Sequence, residues 1–287
     1  AVARNLTNGL GLGSTEFHVL RTEDEIKAKY LLEWINRNEI RKVAASNMTG
    51  ASGHRRVPEY FYQQLPIPNA PYDAIKKIVA ECSKIETVYQ QCIDDISRLK
   101  DKMNTILEES HSKATTDLRL DNEQVFNLSI GRRVLKSELK KDGAYEVFSA
   151  NVFEPFGRIG SSLLTDFSRP SVLWGIDGDW MVNYLQADRP FYPTDHCGVI
   201  KVLDENVILP KYLVYPLLKA GEHERFSRAN RASTERIQAL TIRVPSIDIQ
   251  KETVSKVIEI ENEINTLKQK MKECKFQKQV ILDKYLK

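Results

Sequence analysis

The sequence lacks long apolar runs, paired cysteine motifs and a marked excess of one charge. No stretch approaches the ~20 apolar residues needed to cross a bilayer, and the N-terminus has no charged-then-apolar signal pattern. The four cysteines, Cys82, Cys92, Cys197 and Cys274, have no C-x-x-C spacing, and three fall in helix-like stretches where a small buried thiol is usual. These absences predict a reduced, cytoplasmic protein that is neither secreted nor membrane-bound.

Nucleotide-binding and catalytic motifs are also absent. The glycine-rich residues 8–14 lack the G-x-G-x-x-G spacing of a dinucleotide site, and no G-x-x-x-x-G-K-[ST] loop occurs. Asp195, His196 and Cys197 are adjacent, but neighbours on a strand point to opposite faces and so do not pair as nucleophile and base. His223 lies between two glutamates, and one histidine among exposed charges is usually only solvated. We therefore expect no catalytic residue, metal or cofactor in this chain.

Length and charge limit the remaining classes. The chain has 287 residues, a net charge of +3 at pH 7, 41% apolar residues and 28% charged residues. This length predicts two or three folded modules. Because the charge is nearly balanced, any attraction to nucleic acid must come from local basic patches.

Two long stretches repeat apolar residues at alternating spacings of three and four, the pattern of coiled-coil helices. Pro71 with Asp73, and Pro245 with Ser246, mark their starts. Neither helix would be stable alone in water, so we expect the two helices to pack together through their apolar seams. The first seam consists of Ile75, Ile78, Cys82, Ile85, Tyr89, Cys92, Ile96, Leu99, Met103 and Ile106, and the second of Val257, Ile260, Ile264, Leu267, Met271, Cys274, Lys278, Ile281 and Tyr285.

The segments that precede the two helices resemble each other. Residues 17–21 share their apolar pattern and final basic residue with residues 197–201, and Ile67-Pro68 corresponds to Val244-Pro245. The offset of roughly 180 residues predicts a domain duplication rather than a solenoid. The second copy runs from about Val125 to Lys287, and the first lacks most of the counterpart of 125–195. We therefore expect a fragment whose first domain is incomplete.

The region between the helices predicts a mixed α/β domain with a small sheet. Short strand-like segments lie at 125–134, 145–157 and 171–185, separated by Gly, Pro, Asp and Ser clusters, and a helix-like segment follows Pro210. Trp174, Trp180 and Tyr184 fall at alternating strand positions, which favours core positions over base-stacking platforms.

Three strings carry a resemblance to a known family. GRRVLKSELKKDGAYEVFSANVFEPFG at 131–157 is similar to the opening of a target recognition domain in the specificity subunits of Type I restriction-modification systems, or in the equivalent region of fused restriction-methyltransferases. The stretch 228–261 resembles its closing segment and the following spacer helix, and 51–81 resembles the same junction in the first copy. The resemblance covers essentially the whole chain and departs from the family pattern at the N-terminus.

The resemblance implies an architecture and a set of partners. It implies α/β (α+β) target recognition domains joined by long helices that form an antiparallel two-helix coiled coil. Each domain would read one half of a split site in double-stranded DNA. The partners would be modification subunits, which methylate adenine with S-adenosylmethionine, and a restriction subunit that translocates and cuts DNA. The segments would be an incomplete first domain at 1–69, the first spacer helix at 70–112, the second domain at 113–245 and the second spacer helix at 246–287.

Candidate DNA-binding residues are basic and polar side chains in turn-rich segments, because arginine and lysine bind phosphates while amides, hydroxyls and arginine read base edges. For any of them, a solvated or salt-bridged surface is the alternative, and Ser149 and Asn151 fit turn-forming roles equally well. The candidates are Asn47, Ser52, His54, Arg55, Arg56, Arg132, Arg133, Lys136, Ser149, Asn151, Arg158, Arg225, Arg228, Asn230, Arg231, Thr234 and Arg236.

Two other classes stay open. The chain fits the C-terminal specificity region of a fused restriction-methyltransferase, whose catalytic modules would lie elsewhere in the polypeptide. It also fits a coiled-coil scaffold without DNA binding, although a scaffold leaves the duplicated α/β domains unexplained. An assay of methylation and cleavage distinguishes a fused restriction-methyltransferase from a specificity subunit. Retention of specific DNA sequences distinguishes a specificity subunit from a scaffold.

Overall fold

The structure, a computed structural model, describes residues 1–3, 6–14, 16–50 and 55–286. Two compact units are present, one formed by Ala1–Arg98 with Glu263–Lys287 and the other by Leu99–Asn262. Each unit includes part of both long helices, and the four-segment division stays a prediction. None of the described helices is long and apolar enough to cross a membrane. The helices are α1 (Glu25–Ile35), α2 (Asn38–Ser46), α3 (Glu59–Gln64), α4 (Tyr72–Ser112), α5 (Pro210–His223), α6 (Thr234–Gln238) and α7 (Ile247–Tyr285), and the strands are β1 (Thr116–Arg119), β2 (Phe126–Ile130), β3 (Tyr145–Phe148), β4 (Gly157–Ile159), β5 (Ser171–Gly175), β6 (Val182–Leu185), β7 (Phe191–Pro193), β8 (Cys197–Val202) and β9 (Thr241–Val244).

The two long helices run antiparallel, as predicted. In the first unit, Tyr285 donates a hydrogen bond to Glu81, and Lys278 donates one to Glu86. The residue of α7 with the higher number therefore meets the residue of α4 with the lower number, as in an antiparallel pair. In the second unit, the end of α4 meets the start of α7, where Thr253 Oγ1 donates to Ser110 Oγ at 2.9 Å. Every predicted seam residue of both helices is buried or half-buried. All four cysteines are buried and free.

The first unit is helical. Asp24 begins α1 by accepting a hydrogen bond from the Lys27 amide at 2.8 Å. Tyr30, Ile78 and Leu282 are buried in one cluster that joins α1, α4 and α7. The internal repeat predicted that Phe17–Arg21 would match the segment Cys197–Lys201, which lies within β8. Residues 17–21 form no strand, and Phe17 is 69% exposed, so the shared apolar pattern is not accompanied by a shared strand, and the duplication stays a prediction. β8 is a strand because β2 and β5 flank it, and the described part of the first unit supplies no such partners.

The second unit is built from three sheets, the helices α5 and α6, and the adjoining parts of α4 and α7. A four-stranded antiparallel sheet has the order β2-β8-β5-β6, a three-stranded sheet has the order β4-β3-β7, and β1 pairs with β9. One face of the four-stranded sheet packs on α5 and α6 through Trp174, Leu213 and Ile237. The other face packs on the three-stranded sheet through Leu173 and Phe148. The unit therefore has three layers, with the four-stranded sheet in the middle.

The predicted strand-like segments form local hairpins. The segment at 145–157 supplies β3 and the first residue of β4, and the segment at 171–185 supplies β5 and β6. Trp174 is fully buried, which confirms its predicted core position. Trp180 packs against the same core and donates its ring N–H to the Leu218 carbonyl at 2.9 Å.

Candidate nucleic-acid interface

Several strand ends meet at one edge of the second unit. The registers Ile130↔Gly198 and Gly175↔Cys197 place the ends of β2 and β5 beside the start of β8. β3 and β7 run parallel and end together at Phe148 and Pro193. The loops that follow these strands therefore lie side by side. We call residues 131–136, 149–156, 176–180, 194–196 and 225–233 the loop edge.

Direct contacts join these loops. The Gly131 backbone lies so close to Pro193 that an added Cβ would be 1.7 Å from the Pro193 carbonyl oxygen. Thr194 Oγ1 donates to Ser149 Oγ at 3.1 Å. The Ala232 amide donates to the Ile176 carbonyl at 2.9 Å, which attaches the loop after α5 to the end of β5. The fold thus brings together two groups of predicted residues that are far apart in the sequence.

Six cations on the loop edge have free side chains. All six are exposed, and their charged groups make no hydrogen bond or ion pair with any described residue. Three lie in the loop after β2, where Val134 packs on the three-stranded sheet, and three lie in the loop after α5, where Phe226 packs on the other face of the four-stranded sheet. Asp177, in the loop after β5, and Asp195, in the loop after β7, both lie close to the ring of His196. The six are Arg132, Arg133 and Lys136 in the loop after β2 and Arg225, Arg228 and Arg231 in the loop after α5.

Two predicted arginines are used within the fold. Arg158 donates to the Gly143 carbonyl at 2.6 Å and to the Ala144 carbonyl at 3.2 Å, so it ties β4 to the turn before β3. The Arg236 guanidinium lies 4.7 Å from the centroid of the Phe226 ring and donates to Asn230 Oδ1 and to the Arg231 carbonyl.

The polar candidates of the second unit also bond locally. Asn230 donates to the Glu224 and Arg225 carbonyls and so holds the turn that carries Arg225, whose φ is +55°. Asn151 Oδ1 accepts from the Phe153 and Glu154 amides at 3.0 and 3.2 Å, which is the turn-forming alternative. Thr234 is the half-buried first residue of α6.

The candidates in the first unit form a small separate group. Asn47 is the C-cap of α2 and donates to the Val43 carbonyl at 2.8 Å. Arg55 donates to the Met48 carbonyl at 3.0 Å, and Arg56 forms an ion pair with Glu16. Ser52 and His54 lie outside the described residues. The described side chains therefore make hydrogen bonds or ion pairs within the chain, unlike the free cations of the second unit.

The adjacent Asp195, His196 and Cys197 do not assemble a nucleophile. Cys197 is fully buried, and this burial raises the pKa of its thiol to about 12. Its thiolate is therefore scarce at neutral pH. His196 Nδ1 lies 3.0 Å from Asp177 Oδ1 without the alignment of a hydrogen bond. Within the described part of the chain, no group of histidine, cysteine and carboxylate side chains is arranged to hold a metal ion.

Sequence reasoning passed over Phe153 and Glu154, which the structure places on the loop edge. Phe153 is 56% exposed, and Glu154 is exposed as well. A phenylalanine in an apolar stretch is usually a core residue, and this segment reads as a strand. The available signal was Asn151, two residues before Phe153. An asparagine at this spacing commonly bonds the backbone two residues later and forms a turn, and a turn projects its side chains outward.

Comparison with known proteins gives the family. The sequence model described as Type I restriction modification DNA specificity domain matches residues 120–275, which is more than half of the chain. This chain belongs to that family. It is 36% identical over 92 residues to the Type I restriction enzyme EcoAI specificity subunit of Escherichia coli, and 31% identical over 111 residues to the EcoEI specificity subunit of the same organism. These matches cover 32% and 37% of this chain but only 16% and 19% of the relatives, so the chain spans less than a fifth of their length.

Solved structures show the same fold. The S subunit of the Type-I restriction-modification system from M. genitalium aligns with a TM-score of 0.57, over 92% of this chain and 74% of that one, at 11% identity. A second structure, of the type I R-M system, aligns with a TM-score of 0.52 over 90% of this chain and 70% of that one, at 18% identity. The family resemblance and the fold predicted from the sequence are therefore confirmed.

Proposed function

We propose that this chain is a sequence-specific DNA-binding specificity subunit that directs adenine methylation and restriction by partner subunits. Its second unit reads one half of a split DNA site through the loop edge. The chain carries no catalytic site of its own. The modification subunits bring S-adenosylmethionine, a restriction subunit translocates and cuts DNA, and the complex works in the cytoplasm.

The observation that supports this proposal is the placement of the free cations. Phosphates form two lines, one on each side of a DNA groove, and a protein that enters the groove meets both. The loop edge carries three unpaired cations in the loop after β2, which packs on the three-stranded sheet, and three in the loop after α5, which packs on the other face of the four-stranded sheet. Unpaired surface arginines retain all of their donors for phosphate oxygens. The net charge of +3 is too small to act in place of this local arrangement.

The first experiment selects binding sites from randomised duplex DNA with the chain and its modification subunits at near-physiological salt. A split, gapped motif supports recognition by two domains, and one short half-site supports recognition by the second unit alone. Failure to enrich any sequence would favour the scaffold class. Detection of methylation or cleavage by the purified chain would contradict the absence of a catalytic site.

Neutralising the free cations tests the interface itself. We expect R132Q/R133Q and R225Q/R228Q/R231Q each to weaken DNA binding and to flatten its salt dependence, because each lost phosphate contact lowers the slope of log K against log salt by about 0.9. The matched control is K251Q, since Lys251 is exposed on α7 and its side chain pairs with no described residue. Unchanged slopes in both arginine variants would move the interface away from the loop edge.

A further inference from the structure

The loop between β3 and β4 exposes two phenylalanines within four residues. Phe153 is 56% exposed and Phe156 is 47% exposed. The hairpin tip lies on the loop edge, because β3 ends at Phe148 beside the end of β7. One exposed aromatic ring needs no explanation. Two on one short loop of a candidate interface indicate a contact surface.

The backbone of this loop is held at nearly every residue. Val152 is fully buried, and its carbonyl accepts from Asn183 Nδ2 at 2.7 Å. The Phe153 and Glu154 amides donate to Asn151 Oδ1, and the Phe156 amide donates to the Val147 carbonyl at 3.0 Å. The Phe153 side chain is thus presented on a rigid support. Such an aromatic group loses little conformational entropy when it binds a partner.

The charge of the loop limits what it can contact. Glu154 is exposed, and its carboxylate forms no ion pair with any described residue. A free carboxylate and an aromatic ring neither attract phosphate nor donate hydrogen bonds to it. If the loop edge binds DNA, the favourable contacts open to this loop are therefore with the bases, and those open to the free cations are with the backbone. In the major groove, phenylalanine packs on the thymine methyl group, and glutamate accepts a hydrogen bond from the cytosine amino group.

We propose that the loop Asn151–Phe156 is a base-reading element in which Phe153 recognises a thymine 5-methyl group and Glu154 accepts a hydrogen bond from a cytosine N4 amino group. This inference rests on the proposed function, since it names the specificity determinants of the same interface. Arg132, Arg133 and Lys136 set the position on the DNA, and the loop discriminates among sequences.

The test uses the chain with its modification subunits and the duplex obtained by site selection. Each thymine of the half-site is replaced in turn by uracil, which removes only the methyl group. We expect one such replacement to weaken binding by the wild-type chain about fourfold, the effect of leaving one methyl-sized group unburied. F153A should bind the thymine duplex at least fourfold more weakly and should be insensitive to that same replacement.

Two further variants complete the design. E154A should lose discrimination for cytosine at one position by about tenfold, since it removes the accepting carboxylate and a good base contact is worth a factor of this order. L163A is the matched control, because Leu163 is also an exposed apolar residue but follows β4 at the opposite end of the hairpin. We expect L163A to leave affinity and sequence preference unchanged. Thermal unfolding followed by circular dichroism checks that each variant is folded.

The outcomes separate this inference from the proposed function. If F153A keeps wild-type affinity and the same response to uracil, the base-reading role is wrong while sequence-specific binding stands. If F153A instead weakens assembly with the modification subunits and leaves DNA binding intact, the loop is a protein-docking surface and the inference is overturned. If the wild-type chain selects no sequence at all, the proposed function fails and the base-reading role fails with it.

Discussion

Gly198 is required because of what lies opposite it in the sheet. It pairs with Trp174 across β5 and β8, and an added Cβ would lie 2.1 Å from the Trp174 ring. Trp174 is fully buried and donates its ring N–H to the Ala232 carbonyl at 2.9 Å. That carbonyl belongs to the loop that carries Arg231, so the glycine also helps to position one flank of the loop edge.

Replacing Gly198 by alanine should lower the free energy of unfolding by about 2–3 kcal/mol, because the ring must move out of a filled core. Urea denaturation of the intact chain measures the change. Gly160→Ala is the control, since its added Cβ meets only the flexible end of Lys140, at 3.3 Å, and should cost within about 0.5 kcal/mol. Equal effects of the two substitutions would contradict this account of Gly198.

At the scale of single elements, Gln250 attaches the start of α7 to its surroundings. Its side chain is completely buried. Its Oε1 accepts from the Leu209 amide at 3.0 Å, and its Nε2 donates to the Val207 and Pro245 carbonyls at 3.1 and 2.9 Å. One amide thus satisfies three backbone groups near the first residues of α5 and α7.

Substitution of Gln250 by leucine should destabilise the chain by about 2–5 kcal/mol, because a buried backbone group without a partner costs about 1–3 kcal/mol. The same change at Gln269, which is exposed on the same helix, should have little effect. Comparing the urea midpoints of the two variants isolates the hydrogen bonds from the change in side-chain type. A Gln250→Leu chain as stable as wild type would show that water or nearby groups replace these bonds.

At the scale of the whole molecule, both long helices extend from one compact unit into the other. If the chain reads a split site as proposed, we expect the lengths of these helices to set the gap between its half-sites. Removing Cys92–Arg98 and Lys268–Cys274 together deletes one heptad from each helix and keeps the apolar seam continuous. At 1.5 Å per residue and 3.4 Å per base pair, the gap should change by about 3 base pairs.

Site selection with the shortened chain measures the new gap directly. Removing either heptad alone is the control, since it breaks the match between the two seams and should reduce stability. A shortened chain that selects the wild-type gap would contradict the prediction that helix length sets the distance between the half-sites.

The long helices could be predicted from the sequence alone. Apolar residues at alternating spacings of three and four form one face of a helix, and that face must be buried whatever it packs against. The missing nucleotide motifs and the family strings are equally local. Residues 17–21 share the apolar pattern of Cys197–Lys201 but form no strand, because a strand depends on partners distant in the sequence. For the same reason, Arg132 and Arg236 are indistinguishable as candidates in the sequence. The first remains free, whereas the second is held by Phe226 and Asn230. Pairing between distant strands places the loops after β2, β3, β5 and β7 at one edge, and no local pattern of residues encodes that meeting.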